Sequence, residues 1–391
     1  MKTLRDITLA GKRVLVRVDF NVPMNEAGDI TDDLRIKTVL PTLQYLLEQK
    51  ARVILCTHMG RPKGQRVEKY SLAPVAAYTA KLLGQPVPLA ADCIGPEVAA
   101  AVESLKDGEI LMLENLRYHP QEEKNDPEFS RQLAALADVY VNDAFAVSHR
   151  AHASVVGVTA YVKEKTAGFL LQKEMEYFHR SFDDPQRPLV AIVGGAKVSG
   201  KLEALQNMLE RVDKMIIGGA MANTFLKSQG YAVGTSKVED DLLTTAADLL
   251  HRAKEKQIKI YLPVDVIAAD RFAPDAVCKQ VTIQDIPENW MALDIGPASV
   301  ICFNEVLADA KTIVWNGPMG AFEMNAFARG TMALAHTVAA SHALSVTGGG
   351  DSNAAITLSG EAENISYMST GGGAFLELME GKILPGIKAL E

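Results

Sequence analysis

Short, dense apolar runs alternate with longer stretches of helical periodicity along the whole chain. The runs are RVLVRVD at 13–19, RVILCT at 52–57, EILML at 109–113, DVYVN at 138–142, LVAIV at 189–193, KMII at 214–217, KIYL at 259–262, TIVW at 312–315 and ALSVT at 344–347. Val, Ile and Leu crowd them without strict alternation, which suits parallel strands buried on both faces. Helical patterns fill 33–49, 72–83, 239–256 and 321–340 between them. Strand and helix in steady alternation predict α/β architecture, with parallel sheets covered by helices. The pattern breaks once: Phe169, Leu170, Met175 and Phe178 fall on helical spacing, and the polar segment SFDDPQRP with its two prolines follows. Two Rossmann-like domains are therefore expected, at 1–167 and 183–376, joined by an interdomain helix and hinge at 168–182.

Composition agrees and removes some functions. The 391 residues exceed one ordinary core. A hydrophobic share of 48% with 23% charged residues is that of a folded globular chain. A formal net charge of −8 argues against a nucleic-acid binder. No apolar run approaches the roughly 18 residues of a membrane span. Arg5 and Asp6 interrupt the N-terminal stretch where a signal peptide needs an apolar segment. Cys56, Cys93, Cys278 and Cys302 are scattered without a C-x-x-C pair, as in a reduced cytoplasmic protein.

Ligands of open α/β sheets bind beyond the carboxyl ends of the strands, so the chemistry is sought there. In the first half the strands lead into Asp19-Phe20-Asn21, His58-Met59-Gly60-Arg61, Glu114-Asn115-Leu116-Arg117, and Asp143 through Ser148-His149-Arg150. Arginine forks match phosphate and carboxylate geometry. Three arginines with a histidine, an aspartate and an asparagine on one rim suit a small, multiply charged, hydroxylated anion. Arg35 joins them from the first turn of a helix expected to be capped by Thr31, where a cation opposes the helix dipole. Either Asp32 and Asp33 offset it, or an anion sits there during function.

The second half carries glycine instead. The strand ends read Gly194-Gly195-Ala196-Lys197 with Lys201 beyond, Gly218-Gly219, Asn316-Gly317-Pro318-Met319-Gly320, and Gly348-Gly349-Gly350-Asp351-Ser352. Glycine lets backbone N–H groups approach a phosphate. One Gly-Gly pair is an ordinary turn; four on one rim, with two lysines, point to a nucleotide. Gly195 to Lys201 fits G-x-x-x-x-G-K, but Leu202 stands where a P-loop needs Ser or Thr for magnesium. Asp351 is a helix cap if no nucleotide binds and a magnesium ligand if one does.

These segments resemble phosphoglycerate kinases along essentially the full length. The resemblance rests on RVDFNVPM at 17–24, ITDDLRI at 30–36, THMGRP at 57–62, LENLRY at 113–118, DAFAVSHRAHAS at 143–154, GGAKVSGK at 194–201, WNGPMGAFE at 315–323, GGGDSNAAI at 348–356 and STGGGAFLE at 369–377, in the family's order. It implies 3-phosphoglycerate on the N-terminal domain, at Asp19, Asn21, Arg35, His58, Arg61, Arg117 and Arg150, with Phe20, Met59 and Gly60 in the same loops. It implies Mg2+ with ADP or ATP on the C-terminal domain, bordered by Gly195, Ala196, Lys197, Lys201, Gly219, Gly296, Asn316, Gly317, Glu323, Gly349, Gly350, Asp351 and Ser352, the metal being at Asp351. Arg35 and Lys197 would act on the moving phosphoryl group. Gly371, Gly372 and Gly373 would add backbone donors and a hinge, and the tail 377–391 would return to the N-terminal domain. The implied reaction is reversible, direct in-line transfer between 1,3-bisphosphoglycerate and ADP after hinge closure, in a monomeric cytoplasmic enzyme of glycolysis. Departures are small: Thr57 and Met59 replace the usual Ser and Leu, and Gly200 replaces a polar residue. A dinucleotide-dependent dehydrogenase is disfavoured by the absence of G-x-G-x-x-G after a strand. A catalytically silent binding protein on the same fold is the alternative.

Overall fold

In a computed structural model, which describes residues 3–391, the apolar runs become two separate parallel sheets. The first contains β1 (Arg13–Val18), β2 (Arg52–Cys56), β3 (Ile110–Met112), β4 (Val139–Asp143) and β5 (Glu164–Ala167). Its order is β3-β2-β1-β4-β5, with Val16 opposite both Leu55 and Val141. The second has β6 (Leu189–Val193), β7 (Lys214–Ile217), β8 (Lys259–Tyr261), then β12 (Thr312–Asn316), β13 (Leu344–Thr347) and β14 (Tyr367–Met368). Its order is β14-β13-β12-β6-β7-β8. Between β8 and β12 the chain forms β9 (Asp265–Ala269), β10 (Cys278–Thr282) and β11 (Met291–Ile295), an antiparallel sheet ordered β10-β9-β11.

Strand order reverses beside the first strand of each parallel sheet, between β1 and β4 and between β6 and β12. Helix-covered sheets of this kind open a crevice at that point. Both faces are buried, as the apolar density requires: Val14, Val16 and Val53 on one side of the first sheet, and Val190, Ile192 and Trp315 in the second, are fully enclosed. Each such side chain contributes about 1.5–3 kcal/mol by leaving water.

Contacts divide the chain inside the helix Phe169–Phe178. One unit runs to Met175 and takes in Ile383–Glu391; the other spans Glu176–Lys382. The helix Gly372–Met379 thus belongs to the second unit, and the tail rejoins the first at 383 rather than at 377. There the Gly386 amide donates to the Ser148 carbonyl at 2.8 Å. The start of Phe169–Phe178 is held by two side chains: Thr42 Oγ1 accepts from the Phe169 amide at 2.9 Å and Asp143 Oδ1 from that of Leu171 at 3.0 Å. Burial pushes the Asp143 carboxyl up to about 7.

Several elements differ from the sequence expectation. The pattern at 33–49 is two helices, Leu34–Lys37 and Leu40–Glu48. Pro41 has no N–H to continue the ladder back to Lys37. Thr31 is not the cap; its hydroxyl donates to the Pro23 carbonyl, and Asp32 Oδ1 accepts from the Leu34 amide at 2.9 Å. Only Arg329–Ala340 of 321–340 is α-helical. β5, β9, β10, β11 and β14 lie outside the nine apolar runs of the sequence; EKTA and CKQVT lack such a run, and β10 is largely exposed.

Candidate functional sites on the two units

In the first unit the loops after β1, β2 and β3 are tied by their own polar groups. Thr57 Oγ1 accepts from the Phe20 amide at 2.9 Å, and Asn21 Oδ1 from the Gly60 amide at 2.9 Å. Buried Asn115 takes the Met59 amide at 3.1 Å and donates to the carbonyls of Met59 and Tyr70 at 2.8 and 2.9 Å. Arg117 Nη1 donates to the Gly60 carbonyl at 2.8 Å. Gly60 has φ +58°, and a Cβ there would lie 2.3 Å from the Tyr70 ring. Asp19, 7% exposed, accepts from Arg35 Nη1 at 2.7 Å. Arg35 is therefore offset by Asp19, while Asp33 is engaged by Tyr78 at 2.6 Å and Lys37 at 3.0 Å.

His58 is buried 3.8 Å from Asp19 Oδ1. Burial, then the charges of Arg17, Arg117, Arg150 and Arg35, hold its pKa well below the usual histidine value, so its ring is neutral near pH 7. Four guanidiniums thus act on one imidazole, with Asp19 as the carboxylate among them. Arg150 Nε lies 3.3 Å from His149 Nε2, and Arg61 is exposed. Arg17 was missed in the sequence because it lies inside β1. Its signal was a charge set between Val14-Leu15-Val16 and Val18 in the strand interior. It is 1% exposed, donates from Nε to Ser154 Oγ at 2.8 Å and sets Nη2 3.2 Å from His58 Nδ1. Ser154 is fixed in turn by Glu122, which accepts from its amide at 2.9 Å and its hydroxyl at 2.6 Å.

The second unit has a cavity of about 500 Å³ beside the β6–β12 crevice. Among the expected residues, Gly195, Ala196, Gly219, Glu323 and Asp351 line it. Gly195, Gly219, Gly317 and Gly349 all have positive φ. Added Cβ atoms would meet the Gly195 nitrogen 2.6 Å from Gly219 and the Gly194 oxygen 2.2 Å from Gly317. Glycine is needed there for space as well as for conformation. Asn316, Gly317 and Ser352 form the frame behind: Asn316 Nδ2 donates to the Gly348 carbonyl at 2.7 Å, and Ser352 Oγ accepts from the Gly317 amide at 2.6 Å. Gly349 caps the helix Gly350–Ser359, so Asp351 is not the cap; it is exposed on the first turn and faces the cavity.

Lys201 Nζ donates to the carbonyls of Gly194 at 2.6 Å and Asn316 at 2.9 Å, joining the ends of β6 and β12. Burial lowers its pKa to about 8, opposed by the charge of Asp351. Lys197 is exposed. Gly296 is buried against Asp265, whose carboxylate already takes the Ala298 and Ser299 amides at 3.1 and 2.7 Å. Gly371 caps Gly372–Met379, and the Cβ position of Gly372 is 3.4 Å from the Gly349 Cα, which sets this glycine run against the cradle. Thr235, Lys237 and Phe272 also line the cavity. They come from loops with no glycine cluster to mark them.

One unit thus presents guanidiniums, a neutral imidazole and amide carbonyls; the other presents backbone cradles, two lysines and a carboxylate. No helix among the described residues is long and apolar enough to cross a membrane. A family model described as phosphoglycerate kinase matches residues 4–382. A phosphoglycerate kinase of Desulfotalea psychrophila is 68% identical over 391 residues, covering 100% of both chains. One of Pelobacter propionicus is 57% identical over 98% of this chain and 96% of its own. Among solved structures, phosphoglycerate kinase from Coxiella burnetii superposes with a TM-score of 0.92 at 45% identity, covering 100% of this chain and 98% of that one. The enzyme from Pyrococcus horikoshii OT3 gives 0.86 at 34% identity, with the same coverage.

Proposed function

We propose that this chain, which belongs to the phosphoglycerate kinase family, transfers a phosphoryl group from 1,3-bisphosphoglycerate to ADP, and in reverse from ATP to 3-phosphoglycerate. The division of chemistry between the two units carries the reading. Arg35, Arg61, Arg117 and Arg150, with Asp19, Asn21 and His58, bind the triose acid: guanidiniums hold its anionic ends, and the carboxylate and amide take its hydroxyl. Phe20, Met59 and Gly60 shape the loops. The glycine cradles at Gly195, Gly219 and Gly349 receive the nucleotide phosphates, Ala196 and Glu323 border the nucleoside, and Lys201 supplies charge from behind. Gly296, set against Asp265, contributes shape.

Asp351 fits magnesium. An exposed carboxylate in a phosphate cradle would repel the nucleotide unless a cation lay between them, and magnesium uses one or two carboxylates with phosphate oxygens. Held at Asp351 with a bound nucleotide, magnesium would neutralise phosphate charge. In the forward direction a β-phosphate oxygen of ADP forms the new bond to phosphorus while the acyl-phosphate bond breaks, its electron pair leaving on the carboxylate. A carboxylate needs no proton near pH 7, so no general base is required. Catalysis is then positioning and charge neutralisation. Arg35 and Lys197 meet the moving phosphoryl group, with backbone donors at Gly371 and Gly372. Reacting atoms must approach to about 3–3.5 Å, so closure of the units on bound substrates belongs to the proposal. Each chain holds both substrate sites and acts as a monomer, and its free cysteines suit the cytoplasm. Production of ATP from ADP and 1,3-bisphosphoglycerate, followed in a hexokinase-coupled assay, tests the activity. Its absence in a folded preparation overturns the reading.

The depressed Lys201 pKa gives a second test. Above about pH 8 its ammonium is largely deprotonated in the free protein. Nucleotide phosphates favour the charged form, so Mg-ADP binding at pH 9 takes up protons. Calorimetry in buffers of different ionisation enthalpy should show this uptake, and Lys201→Met should lose it. Burial of this ammonium costs the folded state stability below about pH 8, and the cost is lifted as pH rises from about 8 toward the ordinary lysine value near 10.5, because over that range only the unfolded chain holds the proton.

A further inference from the structure

Lys197 lies in an unsupported stretch between two anchors. Upstream, the Gly195 amide donates to the Pro318 carbonyl at 3.0 Å, and the Gly195 carbonyl accepts from the Met221 amide at 3.0 Å. Downstream, one side chain takes both free amides of the turn, and the Val198 carbonyl accepts from the Lys201 amide at 2.9 Å. Glu239 Oε2 accepts from the amides of Val198 at 2.5 Å and Ser199 at 3.1 Å, while Oε1 accepts from the Ser199 hydroxyl. These are the amides that the near-match to a P-loop would turn toward a phosphate. Here a carboxylate of the chain itself occupies them, 40 residues away in sequence.

Glu239 is fixed at its own end. Its amide donates to Thr224 Oγ1 at 3.1 Å, from the buried side of the helix Met221–Ser228. It also opens the short 3-10 turn Asp240–Leu242. Two and four residues before it, Lys237 and Thr235 line the cavity. Burial raises its pKa, but the Ser199 hydroxyl, the Ser199 and Val198 amides and the charge of Lys197 outweigh this and hold it below the usual value. The carboxylate is therefore ionised near neutral pH and already committed to the loop.

We propose that Glu239 is a positioning residue for Lys197, filling the anion-binding turn at Val198–Ser199 so that the lysine ammonium is presented at a fixed place beside the transferred phosphoryl group. The inference rests on the role given to Lys197 above. The physical reason is that a lysine on a flexible four-carbon stem acts as a point charge, and its usefulness depends on where its backbone is held. Misplacement by about 1 Å can cost about 10²-fold in rate. Glutamine at 239 can keep the geometry: its carbonyl oxygen replaces Oε2 toward the two amides, and its NH2 donates to the Ser199 hydroxyl oxygen.

A double-mutant cycle tests this in the full chain. Lys197→Met alone should lower kcat strongly. Glu239→Ala should lower kcat about 10–10²-fold while the KM for Mg-ATP changes less than about threefold. Glu239→Gln should recover most of the loss. In the Lys197→Met background, Glu239→Ala should cost almost nothing more, since residues acting as one unit are non-additive. If Lys197→Met turns over normally, the role of Lys197 and the inference both fall. If Lys197→Met is impaired and Glu239→Ala retains wild-type kcat, or costs as much in that background as in wild type, the inference alone is overturned. A Glu239→Gln protein with wild-type thermal stability but the alanine variant's kcat also overturns it.

Discussion

Arg35→Ala should lower kcat by about 10³-fold or more, the range in which arginines that neutralise a transferred phosphoryl group act, while the KM for 3-phosphoglycerate rises by less than about tenfold. Arg35 sits on the first turn of Leu34–Lys37, half-buried and bonded to Asp19 at 2.7 Å. Asp19 holds the guanidinium in place and offsets its charge beside the helix start. Without Arg35, the triose acid keeps Arg61, Arg117 and Arg150, but charge developing on phosphorus loses a partner. Arg35→Lys should rescue only in part, because one ammonium cannot reproduce the fork and hold Asp19 as well. Steady-state kinetics in the ATP-consuming direction separates the two constants. A normal kcat in Arg35→Ala would remove Arg35 from the chemical step.

Gly317→Val should abolish measurable nucleotide binding, weakening Mg-ADP at least about 10²-fold through loss of several cradle contacts, and should leave 3-phosphoglycerate binding nearly intact. Gly317 has φ +99°, and its added Cβ would lie 2.2 Å from the Gly194 oxygen and 2.6 Å from Lys201 Nζ. A β-branched residue cannot adopt that backbone without strain of about 1–3 kcal/mol. Relief requires separating the ends of β6 and β12, breaking the two bonds from Lys201 and the Ser352 bond to the Gly317 amide. Calorimetry with each ligand separately checks both halves of the prediction. Wild-type affinity for Mg-ADP would show that the cradle does not lie where the glycines place it.

How far these sites were legible in the sequence depends on how locally each residue acts. The strand ends could be read because dense Val/Ile/Leu runs stop sharply at Asp19, His58, Gly194 and Asn316. Charge at the first set and glycine at the second separate the two chemistries within the sequence itself. Arg17 was hidden by its position within β1, where only its contacts with Ser154 and His58 disclose its role. Thr235, Lys237 and Glu239 were hidden because their partners are set by tertiary packing; nothing in GTSKVED signals a carboxylate reaching Ser199. The cap at Asp351 was misplaced by two residues because three consecutive glycines allow several helix starts, and positive φ selects Gly349. Helix 33–49 was overextended because its apolar periodicity runs on through Pro41, where the ladder is interrupted.

The central claim is the division of substrates between the two units, and hydrogen exchange measured with each ligand alone tests it most directly. Mg-ADP should slow exchange in 194–201, 316–323 and 348–352 and leave 19–21, 57–61 and 115–118 unchanged. 3-Phosphoglycerate should do the reverse. Protection of the arginine-bearing loops by Mg-ADP, with none at the glycine cradles, would contradict the account.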